Sequence, residues 1–204
     1  MFSRKRALGA VVSILAAVGL LVAVTAPADE GNLKWTDQHQ DVKADDHLAQ
    51  VFKGFVFFEA SGTPLFGCET EVTITTNSPE TGKISEFKPL TAKCVGFGSY
   101  DCELESHTTN IAEGWAAKNT TTGVQVEPEK AGKSLTVKYV LKGAKCKAPK
   151  LELHSVLNKI ILTPKIGENT TVDSFKITST SGGSPTMAGE IEVDVPAKGT
   201  LGLK

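Results

Sequence analysis

The chain has no Cys-x-x-Cys pair, no Gly-x-Ser-x-Gly elbow, no cluster of cations beyond its first six residues and only one long apolar run. Each absence removes a class of function. A structural zinc site wants paired Cys-x2-Cys or His ligands at fixed spacing, and a thioredoxin-like centre wants Cys-x-x-Cys. A serine hydrolase of the α/β type wants the missing elbow, and none of the four histidines has a recognisable partner motif. Without a basic stripe the chain is not a nucleic-acid binder. "GFGS" at Gly96 to Ser99 lacks the longer glycine spacing and the Lys-Ser/Thr end of a phosphate loop, so it reads as a turn.

The one apolar run stands at the start. Arg4, Lys5 and Arg6 precede an uncharged stretch from Ala7 to Val24, and Ala26-Pro27-Ala28 follows as a small-x-small cleavage pattern. That is the layout of a secretory signal peptide over residues 1–28, with removal expected after Ala28. An uncleaved anchor is the rival, because about 18 apolar residues begin to suffice for a span. Residues 29–204 keep 19 of the 22 cations and all 23 anions, a net charge near −4, with no second run able to cross a membrane. The expected location is secreted or cell-surface, outside the cytoplasm.

Four cysteines, Cys68, Cys94, Cys102 and Cys146, all lie in the exported part. An even count in an oxidising compartment reads as two disulfides. The segment from Cys68 alternates Cys68, Thr70, Val72 and Ile74 with Glu69, Glu71, Thr73 and Thr75, which is a half-buried strand. "NSPETG" then supplies turn chemistry and "KISEF" begins a returning strand. Folding about that turn brings Cys94 back to the level of Cys68, which favours Cys68–Cys94 with Cys102–Cys146. Cys94–Cys102 with Cys68–Cys146 stays open.

The same period of two recurs at Leu135, Val137, Tyr139 and Leu141, and again at Gly189, Ile191, Val193 and Val195. "LELHSVLNKIILTP" gives a further pair of apolar stretches and "TTVDSFKITST" another, with turn clusters such as "KNTTTG", "EPEKAGK" and "TSGGSP" between them. No long 3.6-period segment follows the signal. The fold class is therefore all-β, an antiparallel sandwich or barrel-like domain over 49–204 stapled by two disulfides, behind a polar arm at 29–48.

Two clusters invite a chemical reading. Asp37, His39 and Asp41, followed by Asp45, Asp46 and His47, combine carboxylates with imidazole as a divalent-metal site would, but a polar arm is the simpler account. Glu103, Glu105 and His107 occupy alternate positions and would project from one strand face near Glu69 and Glu71, as a glycosidase's paired carboxylates would. An acidic outer face explains them as well, so no catalytic residue, metal or cofactor is expected. Trp35 and Trp115 read as core or edge residues, and as sugar platforms only if exposed. Asn119-Thr120-Thr121 and Asn169-Thr170-Thr171 are glycosylation sequons by letter.

A strand into Cys68, the returning Gly82-Lys-Ile-x-x-Phe87, the pair Cys94 and Cys102, and Trp115 downstream form a layout that resembles small exported bacterial β proteins similar to PraB, a family linked by name to alkane oxidation. Trp115 stands in "EGWAAK" where that family would carry Leu-Pro-Trp, and no functional residue is carried over. The expected function is a non-enzymatic structural, adhesion or self-associating component of the envelope. Its partners would be itself or other envelope components, joined through Thr- and Val-rich edge strands. The competing class is a carbohydrate-binding or glycoside-hydrolase-like module.

Overall fold

Thirteen strands fill the computed structural model, which describes residues 31–37, 40–44, 46–144, 146, 150–167, 170–194 and 201–204. The expected signal peptide at 1–28 lies outside the described residues, as do His39, Asp45, Asn169 and Val195. The strands are β1 (Trp35–Asp37), β2 (Gln40–Asp41), β3 (Ala49–Ala60), β4 (Thr63–Thr76), β5 (Thr81–Gly96), β6 (Glu103–Thr109) and β7 (Trp115–Asn119). They continue as β8 (Val124–Pro128), β9 (Leu135–Lys142), β10 (Lys150–Ile166), β11 (Val172–Ser181), β12 (Thr186–Val193) and β13 (Leu201–Leu203). Among the described residues no helix is long and apolar enough to cross a membrane.

Eight strands close a ring. The order runs β11-β12-β3-β4-β5-β7-β8-β10, and β10 pairs again with β11, all antiparallel. The fold is therefore barrel-like, as the period-two segments predict, and the Thr-rich strand β4 is paired on both edges, by β3 and β5. β9 and β6 branch from the N-terminal half of β10, where Lys150–Leu157 pairs with β9 while Leu157–Ile166 pairs with β11. A register shift at Leu157/Lys159 lets this single 17-residue strand bend between the two sheets, so the expected pair of apolar stretches is one element. Pro164 costs the ladder nothing, because the pairing of β10 with β8 ends at Leu162.

Alternation places the core where the sequence puts it. Leu135, Val137, Tyr139 and Leu141 are buried, as are Cys68, Thr70, Val72 and Ile74, while Glu69 and Glu71 face outward. β1, β2 and β13 form a small sheet of their own, in which Trp35 pairs with Leu203 and is wholly buried. The segment 29–48 thus contributes Trp35, Thr36 and Val42 to the interior. The β3–β4 hairpin turns on Ser61 (φ 52°) and Gly62 (φ 75°), the two positive angles of a primed two-residue turn. "NSPETG" forms the next turn, in which Ser78 Oγ accepts the Thr81 N–H at 3.1 Å.

The cysteines form Cys68–Cys94 and Cys102–Cys146, with Cα separations of 4.0 and 5.1 Å. Cys68 and Cys94 are direct cross-strand neighbours on β4 and β5. The nine-residue loop from Cys94 to Cys102 is therefore held at both ends, and its middle is a single 3-10 turn at Gly98–Tyr100.

Candidate functional site

Among the described residues, which leave out His39 and Asp45, the two clusters singled out in the sequence do not assemble. On the first, Asp41 pairs with Lys204 at 2.7 Å, which holds its carboxyl below the usual range. Asp46 accepts the Lys43 N–H at 3.1 Å, and His47 Nδ1 lies 3.2 Å from the Thr76 carbonyl oxygen. Among the described residues no three His, Cys, Asp or Glu side chains converge as a metal site would need.

The second is split by a bulge. The register of β6 on β9 shifts between Leu104 and Ser106, so Glu105 is the extra residue. Beyond it the faces exchange: Leu104 sits opposite Leu141 and His107 opposite Tyr139, both toward the core, while Glu103, Ser106 and Thr108 are exposed. Glu103 and His107 therefore do not share the face that plain alternation assigns them. His107 meets the Tyr139 ring at 6.5 Å, and its partial burial lowers its pKa from the ordinary value. Glu105 lies 3.9 Å from Lys142. Glu69 and Glu71 sit on β4, whose sheet partners are β3 and β5, where Lys93 holds Glu69 at 2.8 Å and Lys53 holds Glu71 at 3.3 Å.

Trp35 and Trp115 are both core residues. Trp115 Nε1–H donates to Asn110 Oδ1 at 2.9 Å, the same oxygen that accepts the Thr136 N–H at 2.8 Å. Asn119 is buried in β7 and donates to the Pro79 carbonyl at 3.3 Å, which takes the first sequon out of reach of a glycan.

The arrangement that stands out lies on the outside of the ring and is carried by residues the sequence did not flag. Phe55, Val95 and Phe97 are 36%, 40% and 43% exposed, and half-buried Phe57 joins them. Phe55 and Phe57 stack at 5.7 Å between ring centroids, and Phe57 lies 6.1 Å from Phe97. The floor is Gly67, opposite both Phe57 and Val95, and a β-carbon there would collide with the Phe57 ring. Glycine at this point lets the ring lie across β4. Phe97 reaches the row because its N–H bonds the Leu65 carbonyl at 2.9 Å and its loop is tied at Cys94 and Cys102.

The signal was present in "FKGFVFFEA" of β3. Phe52, Val56 and Phe58 point inward, as a half-buried strand requires, yet Phe55 and Phe57 are apolar on the solvent side as well. Apolar residues on both faces of a strand whose outer face meets no layer among the described residues mark a contact surface.

Beside the aromatics runs a charged row in strict register. Glu192 stands opposite Lys53, Lys53 opposite Glu71, and Glu71 opposite Lys88, so signs alternate across β12, β3, β4 and β5. Lys53 also contacts Asp194 at 2.7 Å, and its hydrogen bonds to Asp194 and then Glu71 raise its pKa. The face is thus divided into an apolar half and a half of paired charges. No protein family, curated protein or solved structure matches the chain.

Proposed function

We propose that this protein is an exported, non-enzymatic β domain that acts at or outside the cell envelope as a structural or adhesion component, through the aromatic row on the outer face of β3–β5. One observation carries the reading: exposed Phe55 and Phe97 flank half-buried Phe57 in a contiguous aromatic row beside a row of charges. Exposed apolar surface of this kind costs solubility and is kept where another surface covers it. The two disulfides fit an oxidising compartment, and they fix the loop that presents Phe97. The carbohydrate-binding alternative loses its two platforms, since Trp35 and Trp115 are buried.

The test is binding of the purified protein to envelope fractions of the producing cell. Phe55→Ser and Phe97→Ser should each weaken binding about tenfold, the scale of one well-placed aromatic contact. Equal binding by wild type and both variants would remove the row from the function.

A further inference from the structure

We infer that the occupant of this face is a second copy of the same chain, docked face to face about a two-fold axis that runs parallel to the strands between β3 and β4. This rests on the reading above, that the outer face of β12-β3-β4-β5 is the working surface. Rotation about such an axis lays every cross-strand row on itself in reverse order. The charged row reads minus, plus, minus, plus, so its reverse sets Glu192 against Lys88 of the second copy and Lys53 against Glu71. The apolar row, Ala188, Phe57, Gly67 and Val95, meets its own reverse and remains apolar throughout.

One operation therefore satisfies both halves of the face. An axis across the strands would press the charged row onto the aromatic one and strip water from ions without partners. A foreign apolar surface would leave the charged row facing nothing of opposite sign, whereas the alternating order is its own complement. The intervening row is mixed: Glu190 comes opposite the β5 bulge that carries Lys93, the cation that holds Glu69 at 2.8 Å, while Phe55 comes opposite Glu69 of the second copy, a facing that weakens the contact. Four strands about 4.8 Å apart and some seven residues long give a face of roughly 450 Å² per copy, below the roughly 800 Å² per partner of a standard interface, so the dimer is weak and depends on concentration.

Sedimentation velocity of the purified protein across a concentration series tests this. The wild type should pass from monomer to dimer, Phe97→Ser should remain monomeric, and Ile166→Ser, which removes an exposed apolar residue on β10, should behave as wild type. The decisive samples are Lys53→Glu and Glu71→Lys. Each alone sets like charges against each other across the axis and should stay monomeric. Their equimolar mixture restores Glu against Lys at both places, so it should dimerise to the wild-type extent, which no defect confined to one chain can imitate. Glu192→Lys mixed with Lys88→Glu is the second such pair, should either of the first two fail to fold by circular dichroism.

A wild type that stays monomeric throughout, a mixture that does not associate, or an Ile166→Ser as disruptive as Phe97→Ser would each overturn the inference. The two levels separate cleanly. A monomeric wild type whose Phe97→Ser variant still loses envelope binding sinks the dimer and keeps the surface. A dimer beside unchanged envelope binding in Phe97→Ser does the reverse.

Discussion

Removing the two disulfides one at a time should show that the staple with the shorter loop matters more. Cys68–Cys94 spans 26 residues and Cys102–Cys146 spans 44. Loop-closure entropy alone then assigns about 3.5 kcal/mol to the first and about 4 kcal/mol to the second. Burial reverses the order. Cys68 is wholly enclosed, whereas Cys102 and Cys146 are both half-buried, so truncation at Cys68 adds a cavity term of about 1–2 kcal/mol that the other pair lacks. Cys68→Ala/Cys94→Ala should therefore cost about 5 kcal/mol and Cys102→Ala/Cys146→Ala about 4 kcal/mol.

The assay is urea unfolding without reductant, followed by tryptophan fluorescence, for which the buried Trp35 and Trp115 are internal reporters. A Cys68/Cys94 variant that is unfolded beside a folded Cys102/Cys146 variant gives the same ordering. The reasoning is refuted if the longer loop costs more, because the sulfur at Cys68 would then contribute nothing as core.

Three further outcomes are expected. Asn110→Ala should destabilise by about 2 kcal/mol in the same urea assay, since it leaves the buried Trp115 N–H and the Thr136 N–H without their shared acceptor. Gly54→Ala should be severely destabilising, or prevent folding, because the new β-carbon would sit 2.7 Å from the Ile191 Cα and against the Glu190 carbonyl; loss of soluble protein beside normal yields of Gly62→Asn, at an open turn, is the readout. His107 has a folded-state pKa below its ordinary value of 6.5, so the unfolded chain binds the proton more readily and stability falls as pH drops through about 6.5 toward the lower value; His107→Gln should show a smaller fall in urea midpoint between about pH 7.5 and pH 5 than wild type.

How far the chain can be read without its structure depends on which interaction fixes each element. Period-two burial is local, so β4 and β9 and the inward side of β12 are legible residue by residue at Val72, Tyr139 and Ile191. The cysteine pairing is legible because one turn, "NSPETG", sets the level of Cys94 against Cys68. Bulges are not legible. Nothing in "ELESHTT" says that Glu105 is the unpaired residue, since the shift answers to the partner strand, and it moves His107 to the other face. Trp35 reads as a core or edge residue and is core, but what buries it is not legible, since it pairs with Leu203 and its N–H bonds the Pro79 carbonyl, both far along the chain. The aromatic row was half legible: β3 announces Phe55 and Phe57, but Phe97 reaches them only through a loop whose two ends are fastened elsewhere.

Ring closure also sets the order in which the protein can become itself. β3 has β12 as one of its two neighbours, and Thr186 Oγ1 bonds the Glu59 carbonyl across 127 residues of chain. β4 and β5 can fold back on β3 early, but that meander keeps one open side until the stretch around Thr186–Val193 exists and arrives. Pairing at such separation is slow. On the proposed reading of an exported protein the delay is useful, since the chain stays threadable for as long as its last ring strand is missing. When that strand arrives, the free edge of β3, backed by the β4–β5 hairpin that Cys68–Cys94 staples, is ready to receive it.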